Sequence, residues 1–126
     1  MLVACQLVNL TTWECAEPVW RQLRARYPDP GAFARARRAS VRKIIKGLGL
    51  GDVRSRRLVA MAKAWTSRVP LTASDVLHLP GCGKYASDSW AIFVDRRTDV
   101  EPNDGKLNWY LEQVRAGTTP GIYKAV

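Results

Sequence analysis

Two short segments rich in glycine and other turn-forming residues constrain this chain more than any other feature. They are Leu79-Pro80-Gly81-Cys82-Gly83-Lys84-Tyr85 and, further on, Pro102-Asn103-Asp104-Gly105-Lys106-Leu107. Helices are predicted at residues 72–77 and 84–93, so the first segment is a hairpin between two helices. Glycines there can adopt positive φ and leave room for a phosphate beside backbone N–H groups at a helix N-terminus. Lys84 follows as a counter-charge, although glycine turns also join helices in many proteins that bind no phosphate.

Positive charge is concentrated ahead of this hairpin. The chain has a formal net charge of +9, and residues 35–68 contain eleven basic residues against one acid, Asp52. The basic residues are Arg35, Arg37, Arg38, Arg42, Lys43, Lys46, Arg54, Arg56, Arg57, Lys63 and Arg68. Such a cluster is typical of a surface that binds nucleic acid, and the alternative is an ordinary solvated helical face.

Helical patterns dominate the sequence, and no segment alternates as a strand would. Apolar residues recur at helical spacing in two sets, Leu58, Met61, Ala62, Trp65 and Leu107, Tyr110, Leu111, Val114. Asp29 before Pro30 predicts a helix start, and Thr11 and Asp52 are predicted to cap two other helices. The sequence therefore predicts an all-α fold.

Length and composition indicate one globular domain over residues 1–126. No apolar run approaches the ~20 residues of a membrane span, and the N-terminus lacks a signal-peptide pattern. The three cysteines, Cys5, Cys15 and Cys82, are spaced for neither a disulfide framework nor a zinc site. We expect a reduced, intracellular, DNA-associated protein that binds no metal through these side chains.

Taken together, the hairpin and the aspartate 19 residues after Tyr85 resemble the helix-hairpin-helix DNA glycosylase superfamily, which includes endonuclease III. The segments LPGCGKYASDSWAIF and PNDGKLNWYL are most similar to the glycosylase domain of methyl-CpG-binding thymine glycosylases. The resemblance implies a helix-hairpin-helix glycosylase fold that lacks the family's first helices. Three explanations for the lack of these helices are open: a minimal version of the fold, a true start upstream of Met1, or a partner chain that completes the fold.

Two residues are the candidates for catalysis. A carboxylate at Asp104 would stabilise the sugar cation that forms as a base departs, whereas sequence chemistry alone favours an ordinary helix N-cap. Tyr85 occupies the position where bifunctional relatives carry their Schiff-base lysine, which implies a monofunctional enzyme without lyase activity. The alternative for Tyr85 is a core aromatic residue. Lys84 is predicted to face another side of the helix and to contact phosphate.

The resemblance also implies a set of DNA contacts. Leu50 matches the wedge that enters the base stack, or else it packs in the core. Base-pocket or intercalating positions are Gln6, Asn9 and Leu10, although relatives have arginine at the position of Leu10. The remaining predicted DNA-binding residues are Gly51, Arg54, Arg56, Gly81, Cys82, Gly83, Lys84 and Lys106.

The function implied is a glycosylase that flips a mispaired or modified pyrimidine, of the thymine or uracil type, out of double-stranded DNA in base excision repair. No iron–sulfur cluster is expected, because the four clustered cysteines of endonuclease III are missing, and hairpin carbonyls are candidates for a monovalent cation. Two alternatives stay open: a DNA base-modifying enzyme on the same fold, and a non-catalytic DNA-binding module. No membrane partner is expected.

Overall fold

The computed structural model describes residues 1–9 and 11–118, and over these residues the chain is helical without β-strands. In chain order the helices are α1 (Leu2–Leu7), α2 (Trp13–Arg26), α3 (Pro30–Ala34), α4 (Arg38–Ile45), α5 (Gly51–Ser67), α6 (Ala73–Val76), α7 (Lys84–Phe93) and α8 (Gly105–Arg115). A 3₁₀ turn, Lys46–Leu48, follows α4. The prediction of an all-α fold is confirmed.

Short polar side chains mark the beginnings of several helices. Asp29 Oδ1 accepts the Ala32 N–H at 2.8 Å, and α3 begins at Pro30 as predicted. At α6, Thr72 and Asp75 form a reciprocal capping box. These side chains satisfy backbone N–H groups that have no partner within the first turn of a helix.

Two other helix starts differ from the prediction. The cap of α2 is Thr12 rather than Thr11. Helix α5 begins directly after Leu50, so Asp52 lies in its first turn, where it pairs with Arg42 at 3.1 Å. Candidate cap residues that stand close together in a sequence are not separated by local propensity alone.

The chain divides into two compact units. The first comprises Met1–Pro70 together with Leu79–Gly81. Its core contains fully buried side chains from α1, α2, α4 and α5, namely Leu7, Leu23, Val41, Ile45 and Leu58. The predicted stripe on α5 is confirmed at Leu58, Met61 and Ala62, whereas Trp65 is half-buried.

The second unit comprises Leu71–His78 and the chain from Cys82 onward. Its core contains the buried residues Ala91, Ile92, Val100, Leu107, Tyr110 and Leu111, and Val114 packs against them partly buried. This confirms the predicted stripe on α8. Helix α6 is tied to α7 by the Ser87 hydroxyl, which donates to the Ala73 carbonyl at 2.8 Å. That residues 1–126 form a single domain stays a prediction.

Candidate active site

A pocket of about 350 Å³ opens in the second unit, where the start of α7 meets the start of α8. It is lined by Lys84, Tyr85, Asp88, Asn103, Asp104 and Leu107. The structure therefore brings together the two residues that the sequence singled out for catalysis, Tyr85 and Asp104.

Asp104 is the N-cap of α8 and is half-buried at the pocket. Its Oδ2 accepts the Leu107 N–H at 2.9 Å, which holds the carboxylate in one orientation. Oδ1 accepts no hydrogen bond from the residues that the structure describes. The cap and a chemical role are thus compatible, because the cap uses one oxygen and leaves the other open.

Tyr85 is the second residue of α7, and its side chain is 40% exposed while it lines the pocket. This corrects the alternative of a fully buried core aromatic. A partly exposed ring with a polar tip can pack against a planar group and hydrogen-bond to it at the same time.

Lys84 differs from its prediction. Its Nζ lies 2.6 Å from Asp88 Oδ2 and donates to the Glu101 carbonyl at 2.9 Å. The side chain lines the same pocket as Tyr85 rather than facing another side of the helix. In this arrangement the charge of Lys84 is compensated within the unit, and the phosphate contact stays a prediction.

Three pocket residues were not among the predicted site residues: Asp88, Asn103 and Leu107, the last of which was predicted only as part of the buried face of α8. Asp88 follows Lys84 at i+4 on α7, a spacing that places opposite charges side by side, and this signal was available in the sequence. Asn103 directly precedes Asp104, and nothing in its neighbourhood marks it as a pocket residue.

At the hairpin, only one of the two glycines adopts a left-handed conformation. Gly81 has φ +75°, and a Cβ there would lie 2.6 Å from Gln6 Oε1, so both its backbone and its lack of a side chain are required. Gly83 has a φ of −124°, so of these two glycines Gly81 alone uses the positive φ that glycine allows. No side chain caps the first turn of α7 after Gly83.

Gln6 is a buried residue of the first unit, with 8% of its surface exposed. Its Nε2 donates to the Pro80 carbonyl at 2.9 Å and to the Met61 sulfur at 3.1 Å. Gln6 therefore holds Leu79–Gly81, the part of the hairpin that belongs to the first unit. Its predicted contact with an extruded base stays a prediction.

Arg54, a predicted DNA contact, is buried in the first unit. Only 6% of the residue is exposed, and its guanidinium donates to the Asn9 carbonyl instead of facing solvent. Burial lowers the pKa of the guanidinium. Arg54 therefore supports the segment after α1, and its contact with a phosphate stays a prediction. Asn9 itself is exposed, whereas the predicted role of Leu10 lies outside the described residues.

The other basic residues of the 35–68 window are all exposed. They are Arg35, Arg37, Arg38, Arg42, Lys43, Lys46, Arg56, Arg57, Lys63 and Arg68. Lys106 in the first turn of α8 is exposed as well. The first unit therefore presents a strongly positive surface, of which only Arg42 forms an ion pair among the described residues, with Asp52.

Leu50 is exposed and its backbone is strained. The side chain is 58% exposed, and φ +53° with ψ 37° places the residue in the left-handed region. For a residue other than glycine this conformation costs about 1–2 kcal/mol, and such costs concentrate at functional sites. The structure rules out the alternative that Leu50 packs in the core. Gly51, the next residue, is half-buried at the start of α5.

Within residues 1–9 and 11–118, no group of three or more His, Cys, Asp or Glu side chains is arranged to hold a metal ion. The predicted lack of an iron–sulfur cluster and the predicted monovalent cation at the hairpin stay predictions. In the same part of the chain, no helix combines the length and the apolar character needed to cross a bilayer.

The fold and the pocket define a class of protein: a helix-hairpin-helix protein in which an aspartate caps one helix and lines a pocket at the start of the helix that follows the hairpin. The family of HhH-GPD superfamily base excision DNA repair proteins matches residues 7–119. The chain belongs to this superfamily, as its hairpin and Asp104 predicted.

Three relatives illustrate the similarity. A thymine-DNA glycosylase of Aeropyrum pernix is 35% identical over 89 residues, which is 68% of this chain and 40% of the relative. A methyl-CpG-binding domain protein 4-like protein of Arabidopsis thaliana is 31% identical over 121 residues, 91% of this chain and 25% of the relative. A thymine/uracil-DNA glycosylase of Pyrobaculum aerophilum is 30% identical over 91 residues, 69% and 40% respectively. The chain therefore spans well under half the length of these relatives.

Proposed function

We propose that this chain is a monofunctional DNA glycosylase that releases a mispaired or modified pyrimidine, of the thymine or uracil type, from double-stranded DNA. The observation that carries the proposal is Asp104, whose carboxylate is oriented by the Leu107 N–H while one oxygen remains open at the pocket. The superfamily, and two relatives named as thymine and thymine/uracil glycosylases, support the reaction class.

The chemistry follows from the carboxylate. When the bond between C1′ and the base nitrogen breaks, its electron pair leaves with the base and positive charge develops on the sugar. A fixed carboxylate stabilises that charge more than the neutral ground state, which lowers the barrier. Water then adds to C1′ and transfers its proton to Asp104. Asp104 returns this proton to solvent and the departed base anion takes up one proton, so the products are a free base and an abasic sugar.

Tyr85 is the residue that would contact the extruded base and that explains the lack of strand cleavage. Its half-exposed ring lines the same pocket as Asp104 and is suited to stack on an extruded pyrimidine. A phenol cannot form an imine with the opened sugar, so the strand should remain intact at the abasic site.

DNA binding is supported by charge and by the hairpin. The exposed basic residues of the first unit compensate backbone phosphates without reading sequence. The uncapped first turn of α7, behind Gly83, offers backbone N–H groups to one further phosphate.

The direct test uses duplexes that carry thymine, uracil or 5-substituted uracils opposite guanine or adenine. We expect free base in the supernatant and strand cleavage only after hot alkali, from at least one mispaired substrate. Tight binding of every duplex without base release would contradict a glycosylase and favour a binding module. A chemically altered base that stays attached to the sugar would instead favour a base-modifying enzyme.

Leu50→Asn separates stability from base extrusion. Asparagine tolerates the left-handed region better than leucine, and Leu50 buries little surface, so the melting temperature should stay the same or rise. Loss of the apolar wedge should slow single-turnover release by roughly tenfold, because unstacking a base costs a few kcal/mol that the wedge offsets. Release from a substrate in single-stranded DNA, which needs no extrusion, should change less.

Leu71→Asn is the matched control for this experiment. Leu71 is 79% exposed, belongs to the second unit and takes no part in the proposed site. It should leave both stability and release unchanged. Equal losses in the two variants would show that general surface hydrophobicity, not a wedge at Leu50, is responsible.

A further inference from the structure

The loop between α7 and α8, which ends at Asp104, is held from the α8 side by two side chains. Arg115 donates to the carbonyls of Thr98 and Val100, the latter at 3.2 Å. Asn108 donates from Nδ2 to the Pro102 carbonyl at 2.8 Å. These bonds immobilise the loop relative to the helix that Asp104 caps.

Lys84 holds the same loop from α7. Its Nζ donates to the Glu101 carbonyl at 2.9 Å and lies 2.6 Å from Asp88 Oδ2. Glu101 stands three residues before Asp104, and Lys84 stands directly before Tyr85. The ammonium group therefore joins the first turn of α7, which carries Tyr85, to the end of the loop that carries Asp104.

The ion pair explains why Lys84 is poorly suited to bind phosphate. The Asp88 side chain is only 13% exposed, whereas that of Lys84 is 50% exposed. If Lys84 moved to a phosphate, it would leave a largely buried carboxylate without its counter-charge, which is costly. The exposed basic residues of the first unit carry no such cost.

We propose that Lys84 is a positioning residue that sets the placement of Asp104 relative to Tyr85, and that it is not a DNA contact. This inference rests on the proposed glycosylase function. A displacement of a reacting group by about 1 Å can lower the rate on the order of a hundredfold. A single side chain that fixes this placement can therefore have a large effect on the rate.

The experiment compares Lys84→Met with the unmodified protein. Methionine fills a similar volume without a charge or a donor. Because Asp88 loses its counter-charge in this variant, circular dichroism first verifies that the helices are retained. We expect single-turnover base release to fall by at least about tenfold, because Asp104 is no longer held in place relative to Tyr85. Duplex affinity and the slope of log K against log salt should stay unchanged, since no phosphate contact is lost. Lys84→Arg keeps the charge and the donors, so it should retain most of the rate of the unmodified protein.

A second readout does not depend on activity. The Leu107 amide donates to Asp104 Oδ2, so its hydrogen exchange reports directly on how well Asp104 is held. We expect exchange at Leu107 to accelerate about fivefold in Lys84→Met, the scale of a weakened cap. Unchanged exchange at Leu107 would overturn the proposal even if release slowed.

Two further variants serve as controls. Arg21→Met breaks an ion pair of the same i,i+4 spacing, 2.7 Å from Glu17, and should change neither release nor Leu107 exchange. Arg56→Met removes an exposed charge and should reduce the salt slope by about 0.9. A similar reduction in Lys84→Met, with normal release, would identify Lys84 as a phosphate contact. If the unmodified protein releases no base from any duplex, the proposed function fails, while the exchange experiment still tests the role of Lys84.

Discussion

Asp104→Asn is expected to reduce single-turnover base release by roughly two orders of magnitude or more, the scale of losing one preorganised electrostatic group. The amide is neutral, so it cannot stabilise a developing sugar cation or accept the proton of the attacking water. DNA affinity should be retained or slightly increased, because a negative charge is removed from the DNA-facing protein. Quenched single-turnover assays with enzyme in excess measure the step without interference from product release.

Asp104→Asn should remove the negative charge without disturbing the fold. Asparagine is as good an N-cap as aspartate, so the bond from the Leu107 N–H and the start of α8 should survive. Asp29→Asn provides the matched control, because Asp29 caps α3 through a 2.8 Å bond from Ala32 and lies in the first unit. It should leave release unchanged. Normal release by Asp104→Asn would remove Asp104 from the mechanism.

Borohydride trapping is the second experiment with a large expected effect. The unmodified protein should form no covalent adduct with DNA that contains its substrate base or an abasic site, because Tyr85 offers a phenol rather than an amine. Tyr85→Lys should produce a detectable adduct, since it introduces an amine into the pocket beside Asp104. Gel electrophoresis after reduction distinguishes the two results as presence or absence of a shifted band.

Lys84 is the rival nucleophile in this experiment, and its geometry argues against that role. Its ammonium is engaged by Asp88 and the Glu101 carbonyl, which leaves it poorly placed to attack C1′. Efficient trapping of the unmodified protein that disappears in Lys84→Ala would show that the ion pair opens on DNA and that the enzyme is bifunctional. Trapping that persists in Lys84→Ala would point to an amine elsewhere in the chain.

Much of the fold and the family were determined by sequence patterns that act locally. The 3.6-residue spacing of Leu107, Tyr110 and Leu111 is enough to predict the buried face of α8, because each helix buries the stripe that its own sequence presents. Likewise, aspartate is a preferred N-cap residue, so the sequence predicts that α8 begins directly after Asp104. The hairpin and this aspartate identified the superfamily without any tertiary information.

The roles of Arg54, Lys84 and Leu50 were decided by the tertiary structure. Arg54 is buried, and its guanidinium donates a hydrogen bond to a carbonyl 45 positions away. Lys84 lines the pocket and donates to a carbonyl 17 positions away. The i,i+4 spacing to Asp88 marks the ion pair of Lys84, but no local pattern marks its bond to the Glu101 carbonyl or the bond from Arg54 to the Asn9 carbonyl. The left-handed backbone of Leu50 is equally invisible in a sequence, since the intrinsic preference of leucine opposes it. Partners that are distant along the chain determine whether a charge is buried, paired or open to DNA, and only the folded arrangement brings those partners together.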